Sequence, residues 1–236
     1  LKSKIILIYG PTASGKSEFA IKLAKKINGE VVNADSMQVY KNLKILTARP
    51  LKNLNRIKHH LYGFQDANKS FSTGDWLHLA IKKINEIKKR KKIPILVGGT
   101  GLYFKALTDG LVEIPKMSLS YRDKIRKLQK KLGQEKFYKK LLKIDPFSIN
   151  QINPTDVQRS IRAYEVKQFT KKSIFQWYKD TKPSFNKKDF YKIMINYPRL
   201  LLIENINLRT RTMIEKGAVS EVEKLIKLKI PKEKSI

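Results

Sequence analysis

The stretch Gly10-Pro11-Thr12-Ala13-Ser14-Gly15-Lys16-Ser17 fits the phosphate-binding pattern G-x-x-x-x-G-K-[ST]. An apolar run from residue 4 to 9 precedes it and predicts a buried strand. Apolar residues at helical spacing follow it from 17 to 24. Strand, glycine-rich turn and helix form the context that confirms the motif and disfavours an incidental lysine in a turn. Loop amides and the helix N-terminus would then face one anion, so the sequence predicts a polyphosphate site without specifying a nucleoside triphosphate.

A carboxylate is predicted beside this loop. The run from Glu30 to Asp35 is typical of a second buried strand that ends on an acidic residue. Because the carboxyl ends of parallel strands line one crevice, Asp35 is expected to face the phosphate site. The alternative is that Asp35 and Ser36 only cap the next segment.

A further buried strand, 93–97, runs into Gly98-Gly99-Thr100-Gly101 and a helix predicted over 102–111. No aspartate ends this strand, where a Walker B carboxylate would bind Mg²⁺, and this counts against an ordinary P-loop NTPase. The glycine cluster opens a helix beside the crevice, so we expect it to contribute a second ligand contact.

The predicted fold is α/β, with a P-loop NTPase-like parallel sheet flanked by helices and a basic, all-helical insert domain. The core is assigned to 1–113 and 190–236 and the insert to 114–189. A helix is expected over 71–92, and a strand returns at 190–196. The predicted insert helices are 121–132, 135–144 and 156–169, and those after the strand are 200–216 and 219–228. Between residues 114 and 192 there are 21 Lys and Arg against 7 Asp and Glu, a net +14.

The whole chain carries 51 Lys and Arg against 20 Asp and Glu, a formal charge of +31. Such a charge attracts polyanions, above all nucleic acid, although a genome biased towards Lys, Ile and Asn would also produce it. There is no cysteine, and His59, His60 and His78 form no recognisable zinc set. No apolar run approaches ~18 residues, and the start does not resemble a signal peptide. We therefore expect a cytoplasmic location and no membrane partner.

Several short motifs follow one another in a specific order. They are GPTASGKS at 10–17, NADSMQVY at 33–40, TARP at 47–50, HHL at 59–61, VGGTGLYFKAL at 97–107, DVQRSIRAYEV at 156–166, INLRTRTM at 206–213 and GAVSEV at 217–222. This succession resembles the tRNA dimethylallyltransferase family over nearly the whole chain. Leu46 stands where the family usually has Gly, Arg49 replaces a Lys, and Lys58 stands where a proline often precedes the histidines.

The resemblance implies a reaction. N6 of adenine 37, next to the tRNA anticodon, attacks C1 of dimethylallyl diphosphate and expels pyrophosphate. The P-loop would then hold a diphosphate leaving group, which explains why a Walker B aspartate is dispensable. The implied cofactor is Mg²⁺, the partners are the tRNA anticodon stem-loop and dimethylallyl diphosphate, and the expected state is a monomer.

The resemblance also assigns residues by motif. Asp35 is the general base, and Lys16 and Arg209 stabilise the diphosphate. The diphosphate site comprises Gly10, Pro11, Thr12, Ala13, Ser14, Gly15, Lys16 and Ser17, with the Ser17 hydroxyl on the metal. The tRNA-binding residues are Asp35, Ser36, Met37, Gln38, Thr100, Arg122, Gln158, Arg159, Ser160, Ile161 and Arg162.

Three alternatives remain open at this point. A P-loop kinase of a nucleotide or small metabolite would explain the loop and Asp35 but not the basic insert. An adenylate isopentenyltransferase shares the loop but has less reason for such an insert. An RNA-binding protein with a vestigial P-loop is disfavoured by intact Lys16, Ser17, Asp35 and Arg209. The family pattern continues beyond GAVSEV into a further helical segment, so we expect apolar residues of the last helix (Val219, Val222, Leu225 and Ile226) to lack cover.

Overall fold

The computed structural model describes residues 4–50 and 57–230. Five parallel strands form one sheet in the order β3-β2-β4-β1-β5. The strands are β1 (Ile5–Tyr9), β2 (Gly29–Asn33), β3 (His59–His60), β4 (Ile93–Val97) and β5 (Phe190–Met194). The chain passes from β1 to β2 and returns to place β4 between them, so the loops after β1, β2 and β4 lie at one edge of the sheet.

The central strands are buried throughout because each has sheet neighbours on both sides and helices on its faces. All five residues of β2 and of β4 are buried, as the continuous apolar runs predict for a parallel sheet. In contrast, β5 pairs with β1 at the edge, and three of its five residues are exposed. The predicted strands at the start of the chain, at 93–97 and after residue 190 are confirmed.

The helices are α1 (Lys16–Ile27), α2 (Thr73–Lys89), α3 (Gly101–Asp109), α4 (Leu119–Ile144), α5 (Val157–Thr170), α6 (Ile174–Lys179), α7 (Arg199–Glu215) and α8 (Ala218–Lys227). Ser72 starts α2 with a capping box, in which its side chain and that of Asp75 each bind the other's backbone N–H. The α/β class with a flanked parallel sheet is therefore as predicted.

One local expectation is corrected. The second strand ends at Asn33, so Asp35 lies in the following turn and not in the strand. The two predicted insert helices at 121–132 and 135–144 are confirmed, because α4 consists of two helices that meet at a kink at Gly133, whose φ of 72° is not helical. His59 and His60 form the short strand β3, which the sequence pattern did not indicate. The sequence reasoning also omitted α6.

The described residues fall into two compact units, within Leu1–Thr108 with Pro183–Ile236, and within Asp109–Lys182. The second unit is helical, with a core around Phe137, Leu141, Tyr164 and Val166. Gln134 joins its two long helices by donating to the Ser160 hydroxyl and to the Pro154 carbonyl. Across the described chain, no helix has the length and hydropathy needed to cross a membrane.

The last helix is only partly without cover. Val219 and Ile226 are 57% and 69% exposed. Leu225, however, packs against the buried cluster of Val39, Tyr40 and Leu43, and Val222 is half-buried. The expectation holds for two of the four residues, because α8 turns its other face onto the loop after β2.

Candidate active site

The loop from Gly10 to Ser17 joins β1 to α1 with backbone geometry that depends on glycine. A Cβ on Gly10 would lie 2.5 Å from the Ile195 carbonyl oxygen, so no larger residue fits there. Gly15 has a φ of 79° and precedes the first turn of α1. The Ser14 hydroxyl donates to the Pro11 carbonyl at 2.8 Å, and Lys16 Nζ donates to the same carbonyl. These internal bonds hold the loop as one curved unit.

A cavity of about 240 Å³ joins this loop to the other predicted reaction residues. Its lining includes Thr12, Lys16, Ser17, Asp35 and Arg209. Arg209 reaches it from α7, while Arg211, two residues further along, is exposed. The structure thus brings the P-loop lysine, the carboxylate and the arginine into one space.

The charges in this cavity influence one another. Burial lowers the pKa of Lys16 below its usual range, the Asp35 carboxylate opposes that change, and Arg209 reinforces it. The cavity lining therefore carries two cations, Lys16 and Arg209, and two carboxylates, Asp35 and Glu18, of which Glu18 is paired with Lys22 at 2.8 Å.

Asp35 is fixed by its neighbours in a tight turn. Its Oδ1 accepts from the Met37 N–H at 2.9 Å. The fully buried Asn33 clamps its backbone, since Asn33 Oδ1 accepts from the Asp35 N–H at 2.9 Å and Nδ2 donates to the Asp35 carbonyl at 2.9 Å. A second Nδ2 bond to the Leu61 carbonyl, 3.0 Å, ties this turn to the segment after β3. Hydrogen bonds to the backbone therefore fix the position of the Asp35 carboxylate.

The glycine cluster after β4 contacts this turn directly. Thr100 Oγ1 accepts from the Ser36 N–H at 2.9 Å and donates to the Ser36 hydroxyl at 3.3 Å. Gln38 lines the cavity and donates to the Thr47 carbonyl at 2.8 Å, whereas Met37 is exposed. The predicted RNA-contacting residues of the first unit therefore form one continuous patch around Asp35.

A larger cavity of about 650 Å³ adjoins the first and shares Ala13, Gly15 and Arg209 with it. Its walls come from the segment 44–49 and from α7, with Leu208 and Met213 as apolar members. Glu221 of α8 holds that segment by accepting from three successive backbone N–H groups, those of residues 44, 45 and 46, at 2.6–3.0 Å. Burial opposes its ionisation, but these bonds outweigh burial and lower the pKa of Glu221.

The remaining predicted RNA-binding residues lie in the second unit. Arg122 and Arg162 both approach the buried carboxylate of Glu165. Gln158 and Arg159 are exposed, and Arg159 pairs with Asp156 at 2.9 Å. Ser160 and Ile161 are corrected, since their side chains are 0% and 8% exposed. Five consecutive residues of a helix with 3.6 residues per turn cannot all face outwards.

Three residues that organise these groups were missed by the sequence reasoning: Asn33, Glu165 and Glu221. Asn33 carries a weak local signal, because an Asn two residues before a functional Asp is typical of a side chain that binds the backbone of the turn. Glu165 follows Arg162 at i+3, a spacing that pairs charges on one helix face. Glu221 carries no such signal, because its partners are more than 170 residues away.

Comparisons with known proteins agree with one another. A family model described as IPP transferase matches residues 38–236. The tRNA dimethylallyltransferase of Pelagibacter ubique (strain HTCC1062) is 61% identical over 236 residues, covering 100% of this chain and 75% of that protein. That of Rickettsia massiliae (strain Mtu5) is 43% identical over 237 residues, covering 98% of this chain and 64% of that protein.

Solved structures give the same result. A eukaryotic dimethylallyltransferase acting on tRNA matches with a TM-score of 0.81 and 30% identity, over 95% of this chain and 56% of that one. The full-length tRNA isopentenylpyrophosphate transferase of Bacillus halodurans matches with a TM-score of 0.63 and 34% identity, over 98% and 72%. The chain thus spans between about half and three quarters of the length of these proteins.

The sheet order, the loop after β1 and the cavity beside that loop define a P-loop-type α/β protein. Within that class, the chain belongs to the tRNA dimethylallyltransferase family, a family of prenyltransferases.

Proposed function

We propose that this chain transfers a dimethylallyl group from dimethylallyl diphosphate to N6 of adenine 37 in tRNA and releases pyrophosphate. The observation that supports the proposal most directly is the cavity in which Lys16, Asp35 and Arg209 meet the P-loop. The names of the relatives and of the tRNA-bound eukaryotic neighbour supply the substrate class.

Asp35 is proposed as the group that orients N6 and takes its proton. The lone pair of N6 forms the new bond to C1 while the bond from C1 to the diphosphate oxygen breaks, and that electron pair leaves with pyrophosphate. Oδ1 of Asp35 is occupied by the Met37 N–H, which leaves Oδ2 to face the amine. A positioned base of this kind accelerates proton transfer by about 10²–10⁴-fold.

Lys16, Arg209 and the loop amides are proposed to stabilise the charge that grows on pyrophosphate. They act where charge develops in the transition state, so their contribution appears in turnover as well as in binding. Thr12 to Ser17 are proposed to form the cradle, because they line the cavity and include the N-terminus of α1, where free N–H groups favour an anion.

Mg²⁺ fits the donors available. The Ser17 hydroxyl and the Asp35 carboxylate lie on one cavity, and Mg²⁺ commonly takes few protein oxygens beside phosphate oxygens and water. No cluster of three or more His, Cys, Asp or Glu suited to a metal occurs among the described residues, so the protein alone offers no closed cage. When bound, the ion would neutralise diphosphate charge, with Ser17 as its protein ligand.

For RNA, the proposed contacts are the patch of Ser36, Met37, Gln38 and Thr100, together with the half-buried Arg122 and Arg162 and the exposed Gln158 and Arg159. The first group surrounds the proposed base and so would meet the target nucleotide, which must leave its stack to react. The second is basic and would meet phosphates. The chain is proposed to act as a monomer in the cytoplasm, where its tRNA substrate resides.

The test is direct. The protein is incubated with dimethylallyl diphosphate, Mg²⁺ and tRNA carrying unmodified adenine 37, and the nucleosides are analysed by mass spectrometry. We expect a dimethylallyl adduct at that adenine, none in tRNA with guanine 37, and at least about 10²-fold less with Asp35→Asn. Steady phosphate release from ATP without any adduct would instead support the kinase alternative.

A further inference from the structure

Two arginines from different helices converge on one buried carboxylate in the second unit. Arg122 Nε of α4 lies 3.5 Å and Arg162 Nη1 of α5 lies 3.4 Å from the same oxygen, Oε2 of Glu165. The Glu165 side chain is 1% exposed, whereas the two arginine side chains are 38% and 42% exposed. The carboxylate is therefore enclosed while the guanidinium groups reach the surface.

The carboxylate is not satisfied in the way of a purely structural ion pair. Within the described residues, neither Glu165 Oε1 nor Arg122 Nε has a hydrogen-bond partner. A buried carboxylate stabilises a fold only when its geometry and hydrogen bonds are nearly complete. Here Oε2 accepts from Arg162 Nη1 at 3.4 Å and lies 3.5 Å from Arg122 Nε, while Oε1 has no partner among the described residues, so the hydrogen bonding of the carboxylate is incomplete and points to a role other than stability.

The helices are joined at this place. The Tyr121 hydroxyl donates to the backbone carbonyl of Glu165 at 3.2 Å, which fixes α4 against α5 beside the two arginines. Arg162 Nη1 also contacts Met117 Sδ at 3.9 Å. No hydrogen bond in the described structure engages the terminal nitrogens of Arg122, so this edge is available to an acceptor from outside.

We propose that Glu165 is a positioning residue, which holds Arg122 and Arg162 as a fixed pair that binds a backbone phosphate of the RNA. The inference deepens the proposed function and rests on its tRNA substrate. The Glu165 carboxylate cancels one of the two arginine charges, so the three side chains together carry a net charge of +1. It also restrains two long side chains, whose rotamer entropy is then not lost at the moment when the RNA binds.

This role predicts an effect opposite in sign to simple electrostatics. Replacing Glu165 with Gln adds one positive charge to an already basic unit, so a charge-only account predicts tighter RNA binding. If Glu165 instead positions the pair, its loss lets the arginines repel each other and separate, and binding weakens. Glu135→Gln is the matched control, because it adds the same charge on α4 at a side chain that is 81% exposed.

The experiment measures binding of an anticodon stem-loop RNA between low and physiological salt, together with tRNA turnover. For Glu165→Gln we expect about 5–10-fold weaker binding, a higher KM for tRNA with kcat nearly unchanged, and a log–log salt slope smaller by about 0.7–0.9, one phosphate contact. Glu135→Gln should bind as the unchanged protein does or more tightly.

A double-mutant cycle separates positioning from damage to the fold. In a chain already carrying Arg122→Ala and Arg162→Ala, Glu165→Gln should cause no further loss of RNA binding. A loss of equal size in that background, or binding by Glu165→Gln as tight as by Glu135→Gln, would overturn the inference. RNA binding without prenyl transfer by the unchanged protein would overturn the proposed function alone, whereas absence of RNA binding would overturn both.

Discussion

Gly98 is the position at which one added methyl group should displace the proposed base without touching it. It follows β4 and is buried against the turn after β2. A Cβ there would lie 2.1 Å from the Ala34 carbonyl oxygen, 2.2 Å from its carbon and 2.8 Å from the Asp35 nitrogen. Its neighbour Gly99 is exposed, and a Cβ there meets nothing within 4 Å. The pair Gly98→Ala and Gly99→Ala therefore differs in one physical respect.

The magnitude follows from these distances. Carbon atoms in contact normally lie about 3.5–4.0 Å apart, so the backbone at 34–35 must retreat by about 1 Å or more. The movement strains the bonds from the Ala34 N–H to the Val97 carbonyl and from the Thr100 N–H to the Ala34 carbonyl, 2.8 and 3.2 Å. Overpacking of this kind costs about 1–3 kcal/mol, and a displacement of about 1 Å in a reacting group costs about 10²-fold in rate.

The assay is single-turnover prenyl transfer to tRNA well below the melting temperature, with binding of dimethylallyl thiodiphosphate measured in parallel. We expect Gly98→Ala to lower the rate about 10²-fold. The affinity for the analogue should change by no more than a few-fold, because the P-loop follows β1 whereas Gly98 follows β4. Gly99→Ala should retain nearly the full rate. Equal rates for the two variants would refute the argument that the Gly98 contact sets the position of Asp35.

Three further predictions concern charge. Asp35→Asn should lower turnover at least about 10²-fold with little change in tRNA affinity, and a wild-type rate would exclude Asp35 as the base. Burial raises the pKa of Glu30, but hydrogen bonds from Arg90 and His60 outweigh it and lower that pKa to about 2. Ionised Glu30 should therefore stabilise the fold by about 3 kcal/mol above pH 4.5, and this stabilisation should be lost as the pH falls from 4.5 towards 2. Chemical denaturation of Glu30→Gln should not show this pH-dependent loss. Charge reversal at Arg159 should weaken tRNA binding more than charge reversal at Lys89, which lies at the exposed end of α2. Equal losses in a binding titration would mean that tRNA binding depends on the overall positive charge and not on Arg159 in particular.

The sequence predicted the parts of this molecule that depend on local patterns. The P-loop, the buried strands and the helix expected over 71–92 each follow from spacing or apolar runs of neighbouring residues. Asp35 also lines the same cavity as the P-loop, as expected for parallel strands that end at a common edge. The error of two residues at the end of β2 arose because the Asn33 side chain binds the backbone N–H and carbonyl of Asp35, which folds Asp35 into a turn and ends the strand.

The residues that position the predicted site could not be found in this way. Glu221 accepts hydrogen bonds from the backbone of residues 44–46. The sequence predicts the helix that carries Glu221, but it gives no indication that this side chain binds so distant a segment. The run 158–162 shows the opposite failure. The motif predicts that the whole run binds RNA, yet helical periodicity directs Ser160 and Ile161 into the core and only the remaining side chains outwards.

Asn33, Glu165 and Glu221 share one physical logic. Each is a polar side chain whose partners are the backbone or the arginines of a proposed functional group. Asn33 holds the turn of Asp35, Glu165 the two arginines, and Glu221 the segment beside the larger cavity. Charges that must act on a diphosphate or an RNA phosphate are useful only when they are already in place, because ordering them on binding would consume the energy of the contact. Loss of a positioning residue should therefore affect the one function that its partners serve, whereas loss of an ordinary core residue should lower stability and all functions together.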